Sequence, residues 1–75
     1  MGEHDRVVLS VDITEFGLQA GDVGTIVHVY PNGAAFEVEF VALDGSTVAV
    51  VQVGLQQIRS VGRGEITHAR KLVTA

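Results

Sequence analysis

The stretch Phe36-Glu37-Val38-Glu39-Phe40-Val41-Ala42-Leu43-Asp44-Gly45-Ser46-Thr47-Val48-Ala49-Val50-Val51-Gln52-Val53 decides the fold. From Phe36 to Val41, apolar residues alternate with Glu37 and Glu39, the period of two of a strand with one face in water. Asp44-Gly45 then supplies residues that accept the positive φ of a tight hairpin, and the β-branched run resumes. With Asp44-Gly45 at the centre of the turn, Phe40 stands opposite Ala49, Val38 opposite Val51 and Phe36 opposite Val53, all apolar. The other face pairs Glu37 with Gln52, Glu39 with Val50 and Val41 with Val48. One side of this hairpin is therefore a core and the other faces outward.

Working toward the N-terminus, Pro31-Asn32-Gly33 reads as a second hairpin of the same kind. It sets Val29 opposite Phe36, Val27 opposite Val38 and Thr25 opposite Phe40 on the core side, with His28 against Glu37 and Ile26 against Glu39 outside. Thr25 is the one polar member of the core pairs. The strands expected are Arg6 to Val11, Thr25 to Tyr30, Ala35 to Ala42, Ser46 to Val53 and Arg59 to Val61. Gly21 to Thr25 is a tight bend, and Asp12 to Ala20 is a long loop whose Ile13, Phe16 and Leu18 can fold back over the core. Gly54 to Ile58 reads as one helical turn. The fold expected is thus all-β: a small five-stranded SH3-like barrel with a short helical turn before the last strand and a C-terminal tail. Its core is Val7, Leu9, Val23, Val27, Val29, Phe36, Val38, Phe40, Ala49, Val51, Leu55 and Ile58.

Seventy-five residues allow one core, which divides the chain into a barrel over residues 1–61 and an extension over 62–75. Cysteine is absent, so no disulfide frame is available. No apolar run nears the roughly 18 residues of a membrane span, and the acidic start Met1 to Asp5 is unlike a secretory signal, so a cytoplasmic location is expected. Residues 1–58 carry eight carboxylates against Arg6 alone, a balance of −7, whereas the last seventeen residues carry +3. An acidic body repels nucleic acid, which needs clustered Lys and Arg. In the extension, Ile66, Ala69 and Val73, with Leu72 nearby, fall on one side of a helix, and Arg70 and Lys71 can meet the acidic body. So short a helix does not hold alone, so the extension is expected as a docked helix or as disordered chain.

The run Gly17-Leu18-Gln19-Ala20-Gly21-Asp22-Val23-Gly24-Thr25-Ile26-Val27-His28-Val29-Tyr30, followed by Glu37-Val38-Glu39-Phe40 and Asp44-Gly45, resembles small prokaryotic proteins of the family named domain of unknown function forty-nine twenty-six. The resemblance runs from about Asp5 to Val61. It implies a compact SH3-like barrel with no assigned reaction and no recognised catalytic residue; residues 62–75 have no counterpart in it. A shorter likeness concerns Val51-Gln52-Val53-Gly54 and Leu55-Gln56-Gln57-Ile58. They are similar to the segment through which type II dihydrofolate reductases line the pore of a tetramer of SH3-like barrels. Where that family ends the motif with tyrosine, this chain has Gly54.

Individual residues offer little chemistry. His28 beside Glu37 can be read as a proton-transfer pair or, more simply, as an exposed cross-strand pair. His4, His28 and His68 are too far apart in the chain to suggest a metal site, and Asp22 between Gly21 and Gly24 reads as a turn-stabilising side chain, since no helix or lysine follows to hold a phosphate. Ser10, Ser46 and Ser60 lack a histidine at a suggestive spacing. No catalytic residue, metal, cofactor or small molecule is expected.

The outer sheet face is the feature that departs from the ordinary. Ile26, Val41, Val48 and Val50, with Tyr30 at one edge, lie among His28, Glu37, Glu39 and Gln52, where a solvated face would be more polar. These nine residues are the expected partner-binding surface of a non-enzymatic protein-interaction module. It would bind itself, as a homodimer, or another protein, as a small inhibitory partner of the antitoxin or immunity kind. Nucleic-acid binding through the basic tail is the alternative, and a tetrameric reductase-like enzyme the second.

Overall fold

The structure is a computed structural model and describes residues 1–72. Five antiparallel strands form one sheet: β1 (Arg6–Leu9), β2 (Val23–Val29), β3 (Phe36–Val41), β4 (Thr47–Val53) and β5 (Ile58–Ser60), in the order β4-β3-β2-β1-β5. Among the described residues the helical content is three short 3-10 turns, at Thr14–Phe16, Pro31–Gly33 and Leu55–Gln57. β4 and β5 are the two edges, yet Val53 of one and Ile58 of the other sit in a single apolar core. The sheet therefore curls back on itself, as in a small β-barrel-like fold. The crossover between the edges is the turn at Leu55–Gln57, closed where the Gly54 N–H donates to Gln57 Oε1 (2.7 Å).

β3 and β4 pair as their alternation requires: Phe36 with Val53, Glu37 with Gln52, Val38 with Val51, Glu39 with Val50 and Phe40 with Ala49. Near the turn the pairing differs. Ala42 N–H donates to Ser46 O, so the loop is the three residues Leu43 to Gly45, with Gly45 at φ 92°. Val41 then pairs with Thr47, and the extra residue is absorbed by a bulge at Val48, which rotates that valine toward the core.

β2 carries the larger correction. His28 and Val29 pair with Glu37 and Phe36 as expected, but Ile26 pairs with Val38 and Thr25 with Glu39, leaving Val27 as a bulge. Ile26 is fully buried at 0% exposure and Val27 is 40% exposed, the reverse of the expectation. An unbroken ladder would have set the Thr25 hydroxyl among the phenylalanines, a burial that costs roughly 1–3 kcal/mol when unpaired. The bulge turns Thr25 out and brings in the larger Ile26.

Val23 and Leu55, also expected in the core, are exposed, while Val29 and Ala49 pack at its margin. Leu18 is buried instead: Ile13 and Leu18 exchange backbone hydrogen bonds and fold the long loop over the core, with Phe16 left outside. Val8, on the opposite face of β1, is buried as well and lines a shallow hollow with Val23, Arg59, Glu65, Ile66 and Thr67. The C-terminal extension thus runs over that face. Of the two forms expected for the extension, docked helix or disordered chain, residues 62–72 show no helix, and Val73 lies outside the described residues.

Candidate functional site

On the outer side of β2, β3 and β4, Glu37 lies between His28 and Gln52, and Glu39 between Thr25 and Val50. Both carboxylates are half-buried and held by hydroxyls: Tyr30 Oη donates to Glu37 Oε2 (2.7 Å) and Thr47 Oγ1 to Glu39 Oε2 (3.0 Å). The hydrogen bond to the Glu37 carboxylate, and next to it desolvation, raise the Tyr30 pKa above its ordinary value. His28 sets its ring edge-on to Tyr30, with centroids 4.7 Å apart. Glu37 thus accepts a hydrogen bond from the Tyr30 hydroxyl, and no hydrogen bond joins it to His28, its cross-strand neighbour.

Beside these groups Val41 and Val50 are 53% and 50% exposed. Of the nine residues expected on this surface, His28, Tyr30, Glu37, Glu39, Val41, Val50 and Gln52 share it. Ile26 does not, because the Val27 bulge turns it inward, and Val48 is half-buried against the core because of its own bulge. Thr47, which fixes Glu39, was not singled out in the sequence; its position across from the acidic strand was the available signal.

A second polar cluster lies where the extension meets the body. Arg70 donates from Nε to Asp22 Oδ1 (2.9 Å) and from Nη2 to Gly17 O (3.0 Å) and Asp22 Oδ2, while the Gln19 N–H also donates to Asp22 (2.8 Å). Burial pushes the Asp22 carboxyl up, but the Arg70 and Gln19 hydrogen bonds and the guanidinium charge outweigh it and leave the pKa lowered. Arg59 grips Glu65 with two hydrogen bonds (2.8 and 2.7 Å), and the Gly62 N–H adds a third; together they bring Glu65 down to about 2. Asp22 does stabilise its turn, as expected. Its role in anchoring Arg70 depends on a contact across 48 residues, which no local pattern discloses.

Among the described residues no three His, Asp or Glu side chains are grouped as metal ligands, and no helix is long and apolar enough to cross a membrane. Fold and surface together define a small all-β, barrel-like domain with a half-apolar, acidic outer face. Residues 3–60 match the family described as "Domain of unknown function (DUF4926)", and the chain belongs to it. The matched region takes in all five strands and stops before the extension. Searches of the curated proteins and of the solved structures found no match.

Proposed function

We propose that the domain is a non-enzymatic protein-interaction module that uses the outer face of β2, β3 and β4. The observation that carries this reading is the half-exposure of Val41 and Val50 next to carboxylates already fixed by Tyr30 and Thr47. Burying the exposed half of each valine contributes on the order of 1 kcal/mol, and side chains ordered before binding reduce the entropy lost on association. The fitting partner has an apolar centre and basic or hydrogen-bond-donating rim groups. The −7 balance of residues 1–58 suits a basic protein, and a small inhibitory partner of the antitoxin or immunity kind is one form such a module takes.

The rival reading, nucleic-acid binding by the basic extension, is weakened because Arg59 and Arg70 are paired with Glu65 and Asp22. Val50→Arg tests the proposal: it should abolish self-association or partner retention while the thermal transition survives. If the unmutated protein sediments as a monomer and retains no partner, or if the variant behaves identically to it, the reading fails.

A further inference from the structure

The two edges of the sheet are treated differently. β5 is three residues long, carries Arg59, and is followed by the segment that returns Glu65 to that arginine. β4 is seven residues long, Thr47-Val48-Ala49-Val50-Val51-Gln52-Val53, with no charge, proline or glycine. Its bulge is confined to the Val48 end, so Ala49 to Val53 is regular. Beyond the ladder to β3, no backbone hydrogen bond joins Thr47–Val53 to other described residues, and no side chain donates to or accepts from its backbone. An antiparallel ladder satisfies one side of a strand, so Ala49 to Val53 present a row of N–H and C=O groups outward, and the bulge at Val48 is the one blunting device on this edge, placed at its end.

We propose that the occupant of this edge is β4 of a second copy of the chain, joined antiparallel about a two-fold axis at Val51. The inference rests on the interaction-module reading and adds to it: the second copy takes the edge, and the outer face stays free for a basic partner. In that register Val51 faces itself, Val50 faces Gln52 of the other copy and Ala49 faces Val53, so outward residues meet outward ones and core-side residues meet core-side ones. Charge decides between this seam and a face-to-face dimer. Packing the outer face on its own copy would press Glu37 and Glu39 against their counterparts as water is excluded. Edge pairing leaves the two β3 strands three spacings apart, about 14 Å at ~4.8 Å each, beyond the ~8 Å over which salt screens exposed charges. The valines of both outer faces then join one continuous surface.

Sedimentation over a dilution series from millimolar to micromolar, with amide hydrogen exchange at each end, tests this. The expected result is a dimer whose Ala49 to Val53 amides lose protection on dilution. Gln52→Lys should weaken the dimer a few-fold with its thermal transition kept, since the introduced ammonium would stand across from Glu37 within the chain but diagonal to its own copy in the dimer. Val41→Lys, on the outer face away from the edge, should remain dimeric. A dimer without concentration-dependent protection in β4, or one weakened by Val41→Lys and not by Gln52→Lys, would move the contact to the face, overturning the edge seam while leaving the module reading intact. A monomer throughout would overturn the second-copy inference, and partner retention by the unmutated protein would then decide the module reading separately.

Discussion

Gly24 has no room for a methyl group. A Cβ there would stand 2.5 Å from Val38 Cγ1, 2.9 Å from the Glu39 carbonyl oxygen and 2.9 Å from Phe40 Cε1, and the carbonyl belongs to a paired strand that does not yield easily. The glycine is therefore required for close approach of β2 to β3, not for an unusual φ. Gly24→Ala should cost about 1–3 kcal/mol, read as a lowered denaturation midpoint. The adjacent pair Ile26 and Val27 gives a sharper test of the bulge. Ile26→Ala should cost about 2–5 kcal/mol, as for a core site, and Val27→Ala about 0.5 kcal/mol or less, as for a surface site. Equal costs, or the reverse order, would mean that the ladder runs unbroken.

Among the elements, the C-terminal extension is held by two ion pairs and a modest apolar contact, since Ile66 is 90% exposed. Glu65 and Asp22 both bind protons more weakly in the docked form than when free. A lowered folded pKa contributes stability that is fully present above the free value and is lost as pH falls toward the folded value. For Glu65 that window runs from its ordinary 4.5 down to about 2. Docking should therefore be complete at neutral pH and weaken as acid is added, seen as faster amide exchange and proteolysis over residues 62–72 while β3 stays protected. Asp22→Asn should loosen the Arg70 end at neutral pH without moving the Arg59–Glu65 pair. Exposed pairs of the Arg59–Glu65 kind contribute little, so this is a change in the extension's order more than in global stability.

For the molecule as a whole, the margin is thin. At about 0.05–0.15 kcal/mol per residue, a chain of this length has roughly 4–11 kcal/mol of stability. Phe40 is buried at the centre of the core and contacts the space that Gly24 leaves open. Phe40→Ala, at about 3–5 kcal/mol, should remove a third or more of that stability and, at the lower end of the range, leave the chain largely unfolded at room temperature, checked by a strongly lowered or lost cooperative thermal transition. A second copy paired along β4 would add stability by mass action, so the melting temperature of the unmutated protein should rise with its concentration.

The alternation of Phe36 to Phe40 and the two glycine turns were enough to determine an all-β chain, the pairing of β3 with β4, and an outer face carrying Glu37, Glu39, Val41 and Val50, because side-chain direction in a strand follows a local period of two. That period counts residues and does not detect a bulge, so Ile26, Val27 and Val48 were placed on the wrong sides. Whether Val27 loops out depends on what Thr25 would meet across the sheet, a cost visible only once β2 and β3 are together. The same holds for Asp22 with Arg70, for Leu18 in the core and for the unpaired flank of β4. Each is a relation between segments distant in sequence, decided by tertiary packing and by which backbone groups are left without a neighbour.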